Sequence, residues 1–268
     1  MIKEVFIKNR QGLKMAVRLN IDEQRTKLVF LEHGLGARKE YPHMAVLEEV
    51  FASQGFNVVN LDATNSLNAS ENSALGITTT GHYQDLEDVI KWAKTQDFYT
   101  EPFALAGQSL GAISAVRYAG EFPKKVNLLV TCAFPYYNYN EQELNSFARE
   151  IIKNGFYDKV SKSTGRVLHM TMAYVEDMKK LDLTKQIKNI TADTYVLIGL
   201  ADNEKHIKNS KALYEMLNCP KQICFLPNVP HDLANTPETK ATFEDALNKV
   251  LTEQSLHSFA NSTKNTLS

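Results

Sequence analysis

Gly107-Gln108-Ser109-Leu110-Gly111 follows the apolar run Pro102-Phe103-Ala104-Leu105-Ala106 and precedes Ala112-Ile113-Ser114-Ala115-Val116-Arg117-Tyr118-Ala119. The first run reads as a buried strand and the last as a helix, so G-x-S-x-G stands at a strand-to-helix turn, the setting of a nucleophile elbow. A sharp turn there strains the serine backbone, and the flanking glycines let strand and helix approach closely. The hydroxyl then projects at a helix N-terminus, where free N–H groups and the helix dipole favour a developing negative charge. A serine in that position is also an ordinary N-cap, and this simpler role stays open on the motif alone.

Outward from the elbow, strands and helices alternate. Residues 2–8 and 13–19 are β-like runs joined by Asn9-Arg10-Gln11-Gly12, a predicted hairpin. Lys27 to Leu31 is a predicted buried strand ending at the loop His33-Gly34-Leu35-Gly36. A helix over 43–53 and a strand over 57–61 follow, then a long polar loop over 62–81, a type of segment that is usually functional or mobile. An amphipathic helix over 82–95 leads into the elbow strand, and Val126 to Cys132 is the next strand. The alternation predicts a parallel sheet covered on both faces. It stops at Ala133 and resumes at Thr194, with strands over 194–198 and 222–226 and helices over 207–217 and 237–251.

The interruption is dense in aromatic residues, and 141–154 and 167–180 both read as helices. Inserted near strand ends, it reads as a cap; a helical hairpin serving stability alone is the plainer reading. The expected organisation is a core of 1–133 and 191–253, an inserted cap over 134–190 and a polar tail over 254–268, loosely docked or disordered.

The composition is that of a globular protein: 43% hydrophobic and 23% charged residues over 268 positions, with net charge −1. That charge gives no electrostatic case for nucleic acid or an anionic membrane as partner. No apolar run approaches membrane-spanning length, and the first residues alternate like a strand rather than a signal peptide. Cys132, Cys219 and Cys224 lack metal-ligand spacing and are odd in number, which predicts free thiols in a cytoplasmic setting.

A serine nucleophile needs a base and a group to orient that base. Asp202 directly follows the 194–198 strand in Gly199-Leu200-Ala201-Asp202, and His231 follows the last strand in Asn228-Val229-Pro230-His231. Both therefore sit at strand ends, in the order serine, acid, histidine. Glu204 and Asp232 are the competing acids. Asp232 adjoins His231 and is badly placed to bond its ring; residues 132–140 hold no carboxylate. Among the other histidines, His33 belongs to the first loop and His206 to the loop of Asp202, and neither fits the order. The two oxyanion donors should be the backbone N–H groups of Leu110, directly after the serine, and of Leu35, in the loop after the first parallel strand. His33 is expected to prop that loop.

With these motifs in place the chain resembles the α/β-hydrolase superfamily over roughly residues 1–253, and within it the capped bacterial carboxylesterases, including cinnamoyl (feruloyl) esterases. It departs from many of them in carrying Asp62-Ala63-Thr64-Asn65-Ser66-Leu67-Asn68-Ala69-Ser70 where they have a Gly-rich D-x-x-G-x-G-x-S loop. The resemblance implies a serine esterase with no cofactor and no metal, acting on a small acyl ester. A thioesterase, acyltransferase or small peptidase would use the same residues, and a binding protein on this fold is the reading from another class. Tyr136 and Tyr139, just after a strand end, and Met170, Met172 and Tyr174, on an expected later helix, would line the acyl site, which suits short or aryl acyl groups.

Overall fold

The computed structural model describes residues 2–74, 76–138, 144, 146–161 and 164–265, with side chains as far as residue 252 in the last helix. An eight-stranded sheet carries the order β1-β2-β4-β3-β5-β6-β9-β10. β1 (Ile2–Lys8) and β2 (Lys14–Asn20) form the antiparallel hairpin at one edge, and β2 pairs antiparallel with β4 (Phe56–Leu61). β3 (Lys27–Glu32), β5 (Phe103–Gln108), β6 (Val126–Cys132), β9 (Asp193–Gly199) and β10 (Lys221–Leu226) continue in parallel.

The central strands are buried on both faces, which is why they read as unbroken apolar runs. Leu28, Phe30, Phe103 and Leu105 point into one core with α2 (Thr79–Ala93) and α3 (Leu110–Glu121). Val29, Leu31, Ala104 and Ala106 point into the other, with α1 (Pro42–Ser53) and α8 (Pro237–Asn265). From β3 the chain moves outward to β4, then returns to the other side of β3 with β5. That reversal opens a crevice at the carboxyl ends of β3 and β5, the place where open α/β sheets bind ligands.

Elbow packing depends on two residues without side chains. A Cβ on Gly111 would lie 2.2 Å from the Glu32 carbonyl oxygen, and one on Gly107 would lie 2.3 Å from the Gly111 carbonyl oxygen. Both contacts are with backbone, which cannot swing aside.

Several sequence expectations need correction. The segment 167–180 is not one helix: β8 (Val167–Thr171) precedes the short α5 (Met172–Met178). β8 pairs antiparallel with β7 (Phe156–Val160), a hairpin that the aromatic content concealed. Leu168 and Met170 are buried at a spacing of two, so Met170 belongs to a strand, whereas Met172 and Tyr174 are helical. α4 covers Ser146–Asn154, and residues 139–143 and 145 lie outside the described residues. α6 (Thr184–Asn189) returns to the core, where the Gln186 backbone packs on Gly120 of α3. α8 runs on to Asn265, past the end expected at residue 251 and through most of the expected tail.

The loop over 62–78 is held in place by side-chain bonds. Ser70 Oγ donates to the Asp62 carbonyl at 2.7 Å and accepts the Ala16 N–H at 2.9 Å, while Leu67 and Ile77 are buried. Thr64 donates twice to Asp85 Oδ2, at 2.7 and 2.6 Å.

Gly111→Ala should lower the melting temperature by roughly 10 °C or more, at about 2–4 °C per kcal/mol for a chain of this size. Gly155→Ala, where an added Cβ meets nothing within 4 Å but φ is +86°, should cost only a few degrees, through backbone strain alone. Thermal melts of the two variants compare close packing with local conformation; equal losses would contradict the packing argument.

Candidate active site

Ser109 has φ 54° and ψ −115°, a strained conformation for a residue with a side chain. It occupies the N-cap position of α3, yet its hydroxyl makes no capping bond. Ser109 Oγ lies 3.1 Å from His231 Nε2 instead. The N-cap role is therefore not the one this hydroxyl plays.

His231 Nδ1 lies 2.8 Å from Asp202 Oδ2. A carboxylate only accepts, so Nδ1 carries the proton and Nε2 is left to accept the Ser109 hydroxyl. The acid turn and the base loop are tied by backbone: Ala201 N–H donates to the Val229 carbonyl at 3.0 Å, and a Cβ on Gly199 would lie 2.0 Å from the same oxygen. The structure thus brings Ser109, Asp202 and His231 together from the ends of β5, β9 and β10.

Asp202 has two further donors. Asn203 N–H reaches Oδ1 at 2.6 Å, and His206 Nδ1 reaches the same oxygen at 2.9 Å. Burial works against ionisation of this carboxyl, but the bonds from His206 and His231 outweigh it and hold the group well below the usual carboxylate range. The two imidazole rings lie 4.5 Å apart. His206 sits in the first turn of α7 (Glu204–Met216), four residues beyond Asp202. Glu204 begins that helix and makes no recorded bond to His231, and Asp232 contributes its backbone carbonyl to His43 rather than a carboxylate to the base. Asp202, His206 and His231 are also the set, among the described residues, that offers metal-ligand atoms within 4.8 Å of one another.

Two supporting residues escaped the sequence reading. Gln108 Nε2 donates to the His231 carbonyl at 3.2 Å and so fixes the base loop from the elbow itself. His43 of α1 donates from Nδ1 to the Asp232 carbonyl at 3.1 Å. The place of Gln108 directly before the serine of G-x-S-x-G was the available signal for the first; nothing local pointed to the second.

Leu35 and Leu110 both line a cavity of about 490 Å³ with Ser109 and His231, a volume in the range of small-molecule sites. As the first residue of α3, Leu110 has an N–H without an intrahelical acceptor. His33, fully buried behind Leu35, donates from Nδ1 to the Gly34 carbonyl at 2.8 Å and accepts the Ala63 N–H on Nε2 at 3.2 Å. It ties the loop after β3 to the loop after β4. Tyr136 lines the cavity and its hydroxyl lies 3.4 Å from Thr79 Oγ1; Tyr174 lines it too. Tyr139 lies outside the described residues.

A model of the alpha/beta hydrolase fold family matches residues 27–166, just over half of the sequence. The chain belongs to that family. Solved structures of similar fold include Est1E from Butyrivibrio proteoclasticus with bound ferulic acid, at 17% identity and TM-score 0.76 over 93% of this chain and 98% of that one. The esterase domain of a Rhodothermus marinus protein matches at 18% identity and TM-score 0.67, over 93% and 97% of the two chains. A bromoperoxidase from Bacillus anthracis matches at 17% identity and TM-score 0.70, over 94% and 100%. No curated protein matches the sequence. Among the described residues no helix of this α/β hydrolase is long and apolar enough to cross a membrane, and its three cysteines are free thiols.

Burial lowers the pKa of His33, His43 and His82 to about 4 each. Their imidazole NMR shifts should stay at neutral values from pH 8 to about 5 and move only near 4. The unfolded chain takes up these protons below about 6.5, so this share of stability is full above 6.5 and is withdrawn as pH falls toward 4. Glu32 and Asp85, whose pKa values burial raises, work in the opposite direction, so the imidazole shifts rather than the melting curve are the measurement. Titration of any of the three near neutrality would contradict the burial argument.

Proposed function

We propose that this α/β hydrolase is a serine esterase that cleaves carboxylic esters of short-chain or aryl acyl groups through an acyl-enzyme. The carrying observation is the aligned series Ser109 Oγ, His231 Nε2, His231 Nδ1 and Asp202 Oδ2 at 3.1 and 2.8 Å. His231 Nε2 removes the Ser109 proton as Oγ bonds to the ester carbonyl carbon, and the carbonyl π electrons move onto oxygen. The N–H groups of Leu35 and Leu110 receive that oxyanion. As the intermediate collapses, His231 returns the proton to the departing alkoxide. Water, deprotonated by the same nitrogen, then adds to the acyl carbon, and Ser109 leaves with its proton restored. Asp202 stays ionised throughout, because two imidazoles and one amide hold it so.

The reaction type rests on the site and not on likeness of fold, since a bromoperoxidase shares the fold. Est1E and the Rhodothermus esterase domain support an ester substrate, and the ferulic acid in Est1E supports an aryl acyl group. Tyr136 and Tyr174 give the cavity flat faces with polar tips.

A fluorophosphonate probe should label the wild type at Ser109, and Ser109→Ala should lose both label and turnover of p-nitrophenyl esters, by about 10⁴-fold or more. Labelling that persists in Ser109→Ala would place the nucleophile elsewhere. Asp202→Asn should cut kcat by a factor on the order of 10⁴ at little cost in melting temperature, through the wrong His231 tautomer, whereas Glu204→Gln should change kcat by less than about threefold. The reverse ranking would overturn the choice of acid. Tyr136→Ala should change relative rates across acetyl, butyryl and aryl esters more than it changes stability; faster wild-type turnover of long-chain lipid esters than of butyrate would refute the acyl preference.

A further inference from the structure

β7 carries a lysine on its inner face. Phe156 and Val160 face solvent at 50% and 60% exposure, while Lys159 faces inward. Lys159 shares the inner face with half-buried Tyr157 and pairs in register with buried Leu168, so a cation stands on the apolar face of the hairpin, which folding alone does not favour. Its side chain crosses the loop after β3. A Cβ added to Gly36 would lie 3.1 Å from Lys159 Nζ, and Nζ donates to the Gly36 carbonyl at 3.3 Å. Gly36 adjoins Leu35, and Lys159 lines the same cavity as Ser109 and His231.

This ammonium has three protons to donate and, among the described residues, one acceptor, the Gly36 carbonyl. No carboxylate ion-pairs with it among the described residues; Asp232 attracts it only from further off, and burial lowers its pKa. Two more cations line the cavity. Arg149 donates from Nε and Nη2 to the Leu144 carbonyl, and Lys205 makes no ion pair among the described residues. Asp232 is the one carboxylate lining the cavity among those residues. In a chain of net charge −1, the described residues lining the chamber over Ser109 therefore include more cations than carboxylates. A half-buried cation of this kind is best satisfied by an anion that enters with the ligand.

We infer that the substrate is an ester bearing a second, anionic group, a carboxylate, which pairs with the Lys159 ammonium while the ester carbonyl meets Ser109. The inference rests on the esterase reading above and refines its substrate class. The carboxylate is not consumed; it anchors the ester, so the effect belongs chiefly to KM.

Two matched pairs test it on the full chain. 4-Nitrophenyl 4-carboxybenzoate against 4-nitrophenyl 4-methylbenzoate puts the charge on the acyl side. 3-Carboxyphenyl acetate against 3-methylphenyl acetate puts it on the alcohol side. Rates are divided by those of alkaline hydrolysis to remove intrinsic reactivity. In one arm the wild type should favour the charged ester by about tenfold or more in kcat/KM, the value of a charge-assisted bond. Lys159→Met should abolish that preference through KM, bringing the charged-to-neutral ratio of kcat/KM to about one, and Lys159→Arg should retain it. Calorimetric binding of benzene-1,4-dicarboxylate and of 3-hydroxybenzoate to Ser109→Ala, with and without Lys159→Met, reads recognition without catalysis. Equal ratios in wild type and Lys159→Met, or neither acid binding in a Lys159-dependent way, would overturn the inference. Absence of turnover and labelling with Lys159-dependent binding intact would instead overturn the esterase reading and leave the anion site standing.

Discussion

The whole site hangs on one close approach: the start of α3 is pressed against the end of β3. The Glu32 and His33 carbonyl oxygens occupy the space where a side chain on Gly111 would go, at 2.2 and 2.7 Å. α3 can lie so near β3 only if the turn that leads into it from the neighbouring β5 is very tight, and Ser109 absorbs that turn with φ at 54°. Strain of this kind persists only where surrounding structure over-determines it. Here the Ser109 N–H donates to the Cys132 carbonyl at 2.9 Å, while the α3 core residues Ile113 and Val116 are buried. The same approach sets the loop after β3 over Ser109. A Cβ on Gly34 would lie 3.0 Å from Ser109 Cβ, so Leu35 and Leu110 face one chamber because two backbones touch below it.

Most of this was legible because buried parallel strands and amphipathic helices write long, periodic signals. The elbow, Asp202 and His231 were found by combining a motif with the order of elements. What escaped was local and short. Val167 to Met178 carries apolar residues at spacings that suit a helix as well as a strand followed by a helix, and only the pairing with β7 decides. His206 was passed over because chain order excluded it as the base; its spacing of four from Asp202 was the available signal, since residues so placed meet on a helix face. Lys159 gave no signal, because each face of β7 mixes apolar with charged residues, Tyr157 with Lys159 inside and Phe156 and Val160 with Asp158 outside, so no alternation marks the strand.

Beneath the chamber lies a buried polar layer whose charges are arranged in two ways. Lys39 is buried and ion-pairs with Asp62 at 2.8 Å, Glu40 at 2.8 Å and Glu4 at 3.0 Å, and these partners raise its pKa against the effect of burial. Glu32 and His82 instead avoid charge. Burial, aided by Asp85, pushes the Glu32 carboxyl up, and burial pushes His82 down to about 4. Glu32 Oε1 lies 2.6 Å from His82 Nδ1, which also has Ser114 Oγ at 3.3 Å. The layer links β3, the 62–78 loop and α2, so the loop takes its shape from hydrogen bonds as well as from the burial of Ala63, Leu67 and Ile77. That accounts for a long polar loop that is nonetheless folded.

Asp202 shows how a single carboxylate is kept from turning. A carboxylate held by one imidazole alone can rotate about its Cβ–Cγ bond at little cost. With Asn203 N–H and His206 on one oxygen and His231 on the other, rotation would break three bonds together. The plane of the carboxylate is therefore fixed by the first turn of α7, and through it the plane of the His231 ring. α7 is in turn anchored to the strand end that bears Tyr136: Asn209 Nδ2 donates to the Pro135 carbonyl at 2.6 Å. Orientation of the base and position of the cavity wall thus come from one helix. A change in α7 packing would move both together, whereas Lys159 reaches the cavity from a separate hairpin.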